Sequence, residues 1–386
     1  MVMLIGASVA LNAGNGAIFG LTAEIQRVHH LTTSELGFIT GALFASIVVC
    51  LLTLSHLADR GHARAMLLIG LVVGTAAVVW FAVAGSLWQL VVSRALSGLA
   101  VSLFLAAGRS IVVRLDPPNM GQNLGLLGAS EVSGFIIGPL LGSQLFRLGG
   151  LSTPFWILAA VTAFAAAFFA IRFPSDMGAV VPEADGDAEE QLTRWQLSGL
   201  DLLRDRRVVA AALFGVAMYL PVGVYDSLWA KYLHDLGASR DFIGISLTLW
   251  GVPLIVLSGA GGRLVDRIGP RRALAGGLCV MVPVLVLYGA LDSYWIVASV
   301  AIIEACAQAV TMPGAQAAMA QACPPSRTAA GQGLGALTGL SMAGLIGTAA
   351  PAIYQEWGAL TLFSGVAAGV AAMSIVALRL SVTPTR

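Results

Sequence analysis

Charged side chains are scarce in this amino-acid sequence. Asp, Glu, Lys and Arg make up 11% of its 386 residues, against roughly 25% in an average soluble domain. Hydrophobic residues make up 58%, and the mean hydropathy is +0.86. One water-facing surface cannot hide so many apolar side chains, which excludes a soluble globular protein. The net charge of +1 argues against nucleic acid as a partner, because nucleic-acid binding requires a basic face.

Motifs for metal binding, disulfide formation and nucleotide hydrolysis are also missing. The four cysteines, Cys50, Cys279, Cys306 and Cys323, have no C-x-x-C spacing, and the five histidines have no ligand spacing. The sequence contains no G-x-x-x-x-G-K-[ST] loop and therefore no ATP-hydrolysing motor of its own. We expect neither a metal nor a cofactor. No catalytic Ser/His/Asp or Cys/His set can be assembled on one side of a membrane, which argues against an enzyme.

Twelve apolar runs of about 20 residues each fill most of the chain, and this length suits a membrane-spanning helix. The first six are approximately 2–24, 35–55, 64–84, 88–113, 121–146 and 152–173. The second six are approximately 208–233, 240–261, 271–290, 294–320, 328–353 and 358–380. The sequence therefore predicts an all-α membrane protein with twelve transmembrane helices in a lipid bilayer.

Positively charged residues are distributed unevenly between the two ends of these runs. With the N-terminus placed inside, sixteen arginines fall in the inner loops and ends, against four Arg or Lys residues at the outer ends. Because cytoplasmic loops carry an excess of Lys and Arg, both termini are predicted to be cytoplasmic. The expected location is the plasma or inner membrane, which the chain crosses many times.

The two groups of six runs are copies of one unit. When the chain is shifted by 207 residues against itself, identical residues coincide without a gap. The coinciding pairs include Gly37 and Gly244, Asp59 and Asp266, Arg60 and Arg267, Arg64 and Arg271, and Trp88 and Trp295. The predicted domains are an N-terminal six-helix bundle at 1–178 and a C-terminal six-helix bundle at 208–386. A duplicated membrane unit favours a binding site at the seam between its copies.

A polar segment at 179–207 separates the two predicted bundles on the cytoplasmic side. Five acidic residues lie between Glu183 and Glu190, a composition typical of a solvated linker. From Arg194 to Arg204, apolar and charged residues alternate at the spacing of a short amphipathic helix on the inner membrane surface. A partly ordered tether is the alternative.

Two loops at equivalent positions of the repeat share a charge pattern. The loop after the second run, 55–64, has the sequence SHLADRGHAR, and the loop after the eighth, 262–272, has the sequence GRLVDRIGPRR. Both resemble the G-x-L-x-D-R-x-G-R-R signature of the major facilitator superfamily. The first copy departs from this signature at Ser55, His62 and Ala63. Both copies keep the Asp-Arg pair and a later arginine.

The resemblance implies a conformational latch in these loops. Its residues are Asp59, Arg60, Arg64, Asp266, Arg267 and Arg271. By analogy, Asp59 faces the start of the eleventh predicted helix and Asp266 the start of the fifth, where the helix dipole is positive. The arginines are expected to pair with acids and carbonyls across the seam. The alternative is that these arginines only fix the topology.

Small residues recur along the fifth run with a fixed spacing. Gly125, Gly134, Gly138, Pro139 and Gly142 match the family's antiporter signature, G-x(8)-G-x(3)-G-P-x(2)-G-G, with serine in place of the final glycine. A stripe without side chains permits close contact and pivoting against a helix, which we expect to come from the other half. The proline allows a bend. In the family, this signature accompanies the drug:proton antiporter group; ordinary small-residue packing is the alternative.

Three carboxylates fall well inside predicted helices, at Glu131, Asp226 and Glu304. Ionisable residues are costly in hydrocarbon and therefore indicate function, here the loading and release of a proton as access alternates. Glu304 is the first candidate, because helices 1, 4, 7 and 10 line the central cavity of the resembling fold. Asp226 either binds a cationic or polar substrate or pairs with Lys231, the only lysine. Glu131 is either a second proton site or the structural partner of an arginine.

Other polar and aromatic residues inside the runs are candidates for the same site. Arg94 begins an R-x-x-x-G pattern that resembles the family's fourth-helix signature; it either adjusts the proton affinity of an acid or extends to the outer headgroups. Asn12 and Asn15 make part of the first run polar and offer hydrogen bonds to a substrate or to a neighbouring helix. Tyr225 and Trp229 either line the cavity or face lipid.

The resemblance covers essentially the whole chain. It implies the major facilitator fold, in which two six-helix bundles are related by a pseudo-twofold axis and open alternately to each side of the membrane. We expect proton-coupled efflux of a small hydrophobic or amphipathic compound, with protons as the second partner and the protein acting as a monomer. A proton-coupled importer of a sugar or organic acid, and a non-transporting sensor on the same scaffold, are the alternatives.

Overall fold

The structure of the protein is a computed structural model that describes residues 1–31, 33–173 and 199–381. Every regular element within these three ranges is helical. Among the described residues, ten helices are long and apolar enough to cross a membrane. This result confirms the prediction of an all-α membrane protein.

The helices are numbered here in chain order. In the first half of the chain they are α1 Val2–Gly20, α2 Thr22–Val28, α3 Thr33–Leu54, α4 Ala63–Val83, α5 Leu87–Leu115, α6 Met120–Gly149 and α7 Ser152–Arg172. In the second half they are α8 Arg206–Asp235, α9 Arg240–Ile268, α10 Pro270–Ala290, α11 Tyr294–Ala322 and α12 Thr328–Leu380. Short helical turns lie between them at Ala58–His62, Pro117–Asn119, Leu200–Arg204 and Pro325–Arg327.

Helices α3 and α12 bring the number of spans to the predicted twelve. The 53 residues of α12 would measure about 80 Å as one straight helix, far more than the ~30 Å hydrocarbon core of a bilayer. Gly358 interrupts α12 with φ 78° and ψ 175°, a conformation essentially restricted to glycine, and divides it into two spans. Helix α3 has 22 residues and contains the apolar segment Phe38–Leu54.

The ends of the first and seventh predicted spans differ from the structure. Helix α1 ends at Gly20, and Leu21, with φ −102° and ψ 15°, separates it from the short helix α2, whereas the prediction ran on to residue 24. Helix α8 covers Arg206–Asp235, two residues more at each end than the predicted 208–233. In α8, polar residues continue the helical hydrogen bonds beyond the apolar stretch, and hydropathy alone cannot show this.

The residues group into two compact units. The first consists of Met1–Leu115, Ser130–Gly199 and Pro325–Gly333, and the second of Asp116–Ala129, Leu200–Pro324 and Leu334–Arg386. The first unit thus includes the beginning of α12, and the second includes the beginning of α6. The predicted linker at 179–207, with its amphipathic segment, lies mostly outside the described residues; its described end forms the 3₁₀ helix Leu200–Arg204.

Each unit has its own buried core. In the first unit, α1, α4 and α7 meet at Val78, Phe81 and Phe155, and the rings of Phe81 and Phe155 make an edge-to-face contact with centroids 5.0 Å apart. In the second unit, the core extends over α8, α10, α11 and α12 and includes the fully buried Tyr288 and Phe363. Since lipid is as apolar as these side chains, close packing rather than escape from water holds such helices together.

The glycine stripe of α6 packs against α1 of the same half. A Cβ atom placed on Gly134 would lie 2.6 Å from the carbonyl oxygen of Val9, and one placed on Gly138 would collide with the carbonyl of Ala13. The prediction that the stripe contacts a helix of the other half is therefore wrong for these two glycines. Gly125, which belongs to the same signature but lies before the stripe, faces a helix from the second half of the chain: an added Cβ there would collide with the carbonyl of Ser258 in α9.

Small residues on α1 explain why the glycine stripe of α6 packs against this helix. Ala13, Gly16 and Ala17 of α1 lie against Gly138, and Gly142 lies against Ala17. Two surfaces without bulky side chains let the backbones approach closely. The fixed spacing in the sequence shows that a close contact exists, but it does not identify the partner helix.

We expect Gly138→Ala to destabilise the protein by about 1–3 kcal/mol, because the added methyl group must displace the backbone of α1. The matched control is Gly365→Ala in α12, where an added Cβ meets nothing within 4 Å and alanine favours the helix by up to about 1 kcal/mol. Thermal unfolding of the purified variants in detergent measures both effects. Equal melting temperatures for the two variants would contradict the close contact.

Candidate functional site

Glu304 lies in the middle of α11 and is completely buried, with 0% exposed surface. Three side chains donate hydrogen bonds to its carboxylate. The Tyr225 hydroxyl is 2.7 Å from both oxygens, the Tyr288 hydroxyl is 2.7 Å from Oε2, and the Gln308 amide nitrogen is 3.0 Å from Oε1. Hydrogen bonds to a charged group are stronger than those between neutral groups, so these three donors stabilise the ionised carboxylate.

Three helices and one aromatic cluster hold this arrangement in place. Gln308 is four residues after Glu304 on α11 and therefore shares its face, while Tyr225 comes from α8 and Tyr288 from α10. The Trp229 ring packs edge to face against the rings of Tyr225 and Tyr288, with centroids 5.4 Å apart in each case. Trp229 itself is 6% exposed. Both predicted aromatic residues of α8 thus belong to the Glu304 cluster.

Sequence reasoning missed two members of the cluster, Tyr288 and Gln308. The position of Gln308, one helical turn from a buried acid, is a signal that could have identified it. A buried tyrosine also needs a partner for its hydroxyl, but nothing in the local sequence indicates that Tyr288 finds it on α11. Only the packing of α10 against α11 brings these residues together.

The side chain of the predicted Asp226 lies outside what the structure describes. Its proposed partner, Lys231, makes another contact: the Lys231 ammonium lies 2.9 Å from the carboxylate of Asp235, one turn further along α8. Tyr354 also donates to Asp235, at 3.0 Å. The two predicted roles of Asp226, substrate binding and pairing with Lys231, stay predictions.

Arg94 and the two asparagines of α1 lie in the first unit. Arg94 is 5% exposed, and its Nη1 donates to Oδ1 of Asn15 at 3.0 Å. The amide of Asn15 in turn donates to the carbonyl of Leu11 at 3.3 Å, and the amide of Asn12 donates to the carbonyl of Ser8 at 2.9 Å. A guanidinium buried to this degree does not fit the alternative in which Arg94 extends to the outer headgroups.

Glu131 pairs with an arginine, which was one of its two predicted roles. Its Oε2 lies 3.3 Å from Nη2 of Arg109 in α5, and the two side chains are 17% and 5% exposed. Glu131 and Asn12 also share a cavity of about 90 Å³. The other lining residues are apolar: Leu11, Val101, Phe104 and Leu105.

The two repeat-related aspartates each accept hydrogen bonds from the backbone at the start of a helix. Asp59 accepts from the N–H groups of Ala329 and Ala330 at 2.7 and 2.8 Å, near the start of α12. Asp266 accepts from those of Gly121 and Gln122 at 2.7 and 2.9 Å, near the start of α6. The first N–H groups of a helix have no intrahelical acceptor, and the positive end of its dipole attracts a carboxylate.

Glycine is required at the Asp266 contact because the backbones are so close. A Cβ placed on Gly121 would lie 2.7 Å from Oδ1 of Asp266, and one placed on Gly262 would collide with the carbonyl of Gly121. In the first copy, Ser55 takes the place of Gly262 in the repeat. A Cβ on Gly333 would lie 2.8 Å from the Ser55 Cβ, so a glycine in the facing helix leaves room for the serine.

The two copies differ in their charged partners. Asp59 is 8% exposed and also accepts from Nη2 of Arg114 at 2.8 Å. The residue that corresponds to Arg114 in the second copy is Gln321. The described contacts of Asp266 are the two backbone N–H groups. The contact made by Asp59 therefore includes an ion pair in addition to its two backbone hydrogen bonds.

The described contacts of two loop arginines, Arg64 and Arg271, lie within their own repeats. Arg64 donates to the carbonyls of Phe173 and Ala170, at 3.3 and 3.0 Å, at the end of α7. Arg271 donates to the carbonyl of Leu378, at 3.3 Å, near the end of α12. Each arginine binds the last helix of its own repeat, because the unpaired carbonyls of a helix end attract a cation. The other two loop arginines, Arg60 and Arg267, are exposed.

These features define a class of protein. The features are typical of a membrane transporter. They are spanning helices that form a sequence repeat, a hydrogen-bonded carboxyl group buried in the apolar interior, and charged loops at equivalent positions of the repeat. Residues 3–231 match the family model described as Major Facilitator Superfamily, and residues 150–364 match the model of the MFS_1 like family. The chain belongs to the Major Facilitator Superfamily, a family of transporters and not of enzymes.

Several curated relatives are named as drug-resistance proteins or transporters. The chain is 28% identical over 266 residues to the multidrug resistance protein MdtG of Proteus mirabilis and 27% identical over 276 residues to that of Salmonella choleraesuis. It is 25% identical over 316 residues to the MFS-type transporter ppzB of Metarhizium rileyi. These matches cover 67–69% of this chain and 64% of each relative.

Two solved structures share the fold. The human organic anion transporter MFSD10 (TETRAN) superposes with a TM-score of 0.75 at 19% identity, covering 97% of this chain and 98% of that one. The transporter FucP in the outward conformation superposes with a TM-score of 0.80 at 16% identity, covering 99% and 98%. Similarity at this level of identity shows a common fold.

Breaking the Arg109–Glu131 pair on one side should destabilise the protein. We expect Arg109→Met or Glu131→Leu alone to cost about 3–5 kcal/mol, because each leaves an uncompensated buried charge. The double variant, Arg109→Met with Glu131→Leu, should be more stable than either single variant, since it removes both charges. Thermal unfolding in detergent provides the comparison. A double variant as unstable as the sum of the two singles would contradict a mutual pairing.

The difference between the two aspartate contacts can be measured in the same way. Asp59→Asn keeps an acceptor oxygen but removes the charge that Arg114 and the helix start attract, so we expect a loss of about 1–3 kcal/mol. Asp266→Asn should cost less, because Asp266 has no equivalent of Arg114. Equal losses in the free energy of unfolding would show that Arg114 contributes nothing measurable at Asp59.

Proposed function

We propose that this protein is a proton-coupled exporter of a small hydrophobic or amphipathic compound in the cytoplasmic membrane, with both termini inside the cell. The observation that carries this proposal is the fully buried carboxyl group of Glu304 with its three hydrogen-bond donors. The names of the relatives and the glycine signature of α6 favour export of a drug-like compound. The expected partners are the substrate, protons and the lipid bilayer, and the protein is expected to act as a monomer.

Glu304 suits a proton carrier because two opposing effects act on it. Removal from water disfavours the charged form, whereas hydrogen bonds from Tyr225, Tyr288 and Gln308 favour it. When these effects are comparable, both protonation states are accessible, and a change in surroundings can shift the balance between them. A carboxylate in hydrocarbon without donors would remain neutral, and one in open water would remain charged.

Exchange follows when the proton and the substrate stabilise different conformations. A ligand shifts a conformational equilibrium only through its different affinities for the two states. In this proposal, protonation of Glu304 favours one state and substrate binding favours the other, so each drives the release of its counterpart. Asp226 is a second candidate for the acid that carries the proton. In this proposal, Arg94 adjusts the proton affinity of that acid.

The two aspartate contacts would serve as the latch of this mechanism. Asp59 and Asp266 each accept two backbone hydrogen bonds at a helix start, and Arg114 adds an ion pair to the first. Contacts of this kind form in one conformation and separate in another, which sets the ratio of the two populations. Since Asp59 also has the ion pair, its contact would contribute more to that ratio.

We expect Glu304→Gln to reduce proton-driven export by about a hundredfold or more, because glutamine keeps the size of the side chain but cannot bind and release a proton. The control is Glu356→Gln, which changes an exposed glutamate of α12 and should leave export unchanged. A transported compound is first identified by growth of an expressing strain against a panel of toxic hydrophobic compounds. Its movement is then followed in proteoliposomes with an imposed pH gradient.

A second measurement, substrate exchange without a pH gradient, separates loss of proton coupling from loss of transport. Exchange of labelled for unlabelled compound at equal pH on both sides needs no net proton movement, so Glu304→Gln should retain it. Normal pH-driven export by Glu304→Gln would show that another group carries the proton. Export by the unmodified protein that ignores the pH gradient would overturn proton coupling itself.

A further inference from the structure

Glu304 and its three hydrogen-bond donors differ in their access to the surroundings. Glu304 and Tyr288 have 0% exposed surface, and Gln308 has 5%. Tyr225 is only half-buried. Of these four side chains, Tyr225 therefore has the most contact with the surroundings in this conformation.

The geometry of Tyr225 also differs from that of the other two donors. Its hydroxyl oxygen is 2.7 Å from Oε1 and 2.7 Å from Oε2 of Glu304, so it is in range whichever oxygen holds the proton. Tyr288 reaches Oε2, and Gln308 reaches Oε1. A hydroxyl group can donate one hydrogen bond and accept others at the same time, whereas the amide nitrogen of glutamine only donates.

Tyr288 is less suited to pass a proton, although it has the same hydroxyl group. Its ring packs against Trp229 on one side and Phe363 on another, with centroids 5.4 and 5.5 Å away. Its backbone carbonyl accepts the hydroxyl of Tyr232. Tyr288 is therefore a fixed donor, held by the core of the second unit.

We propose that Tyr225 is the proton relay of Glu304, an inference that rests on the proposed function. In the loading step, the Tyr225 hydroxyl transfers its proton to a carboxylate oxygen of Glu304 while the phenolic oxygen takes a proton from a hydronium ion, which is left as water. One O–H bond of the tyrosine breaks and another forms, so Tyr225 is neutral before and after. Glu304 gains one proton, and release follows the same path in reverse.

Other ionisable groups on the surrounding helices are few. The helices packed against α11 are α8, α9 and α10, and their charged residues lie mainly at the helix ends. These are Arg206, Arg207, His234 and Asp235 on α8, Arg240, Asp241, Arg263, Asp266 and Arg267 on α9, and Arg271 and Arg272 on α10. Nearer the cluster, α8 also carries Lys231, which pairs with Asp235, Tyr232, and Asp226, whose side chain is outside the described part.

The proposal predicts a rate effect that is specific to Tyr225. Tyr225→Phe and Tyr288→Phe each remove one hydroxyl donor from the Glu304 carboxylate, so both should shift the pH midpoint of its protonation by a similar amount. Only Tyr225→Phe removes the relay, and it should slow protonation after a pH jump by about tenfold or more. Tyr288→Phe is the matched control and should keep the rate within about threefold of the original.

Time-resolved infrared spectroscopy of the full-length protein in proteoliposomes measures both quantities without a transported compound. The carboxylic-acid C=O stretch of Glu304 is identified by its absence in Glu304→Gln. Equal rates for the two tyrosine variants would overturn the relay. If the identified band does not change over the physiological pH range in the unmodified protein, Glu304 is not the proton carrier, and the proposed function fails before the relay is in question.

Discussion

Hydrocarbon offers no hydrogen bonds, so each polar group inside a membrane protein must find its partner within the protein. Glu304 meets this constraint with three donors from three helices. Glu131 meets it through one oxygen with Arg109, and Arg94 through one nitrogen with an asparagine of α1, while Oε1 of Glu131 and Nε of Arg94 have no partner among the described residues. Each partnership ties at least two helices together. The same contacts that make a buried charge tolerable therefore fix how the helices are arranged around it.

Close packing of small residues makes these partnerships geometrically attainable. Helix α6 has a different neighbour along each part of its length: Gly121 and Gly125 lie against α9, whereas Gly134 and Gly138 lie against α1. Its first part belongs to the second compact unit and the remainder to the first. One helix thus serves both repeats, because glycines at its surface let two different backbones approach it.

The repeat preserves the contact type while the charges around it diverge. Both loop aspartates accept two backbone N–H groups near a helix start, yet Arg114 supports only the first copy, since its counterpart is Gln321. Glu304 likewise belongs to one copy, because the residue in its place in the first is Ser97. A duplicated scaffold can keep its helix contacts and still place an ionisable group on one side only. In the proposed function, this difference separates the half that carries the proton from the half that does not.

Composition and spacing by themselves indicated a duplicated membrane protein. The sequence shows twelve apolar spans, a repeat of 207 residues and two charged loops. The spans are visible in the sequence because a bilayer imposes length and polarity on each of them. Buried acids such as Glu304 could be identified from sequence, since charge within an apolar run is visible there. Their partners could not, apart from Gln308, because Tyr225 and Tyr288 are far from Glu304 along the chain. Only the tertiary structure decided which helices touch. It places Gly138 against α1 and Arg64 against the end of α7, the last helix of its own repeat. A local sequence specifies a helical face, whereas the neighbour of that face depends on the packing of all the helices together.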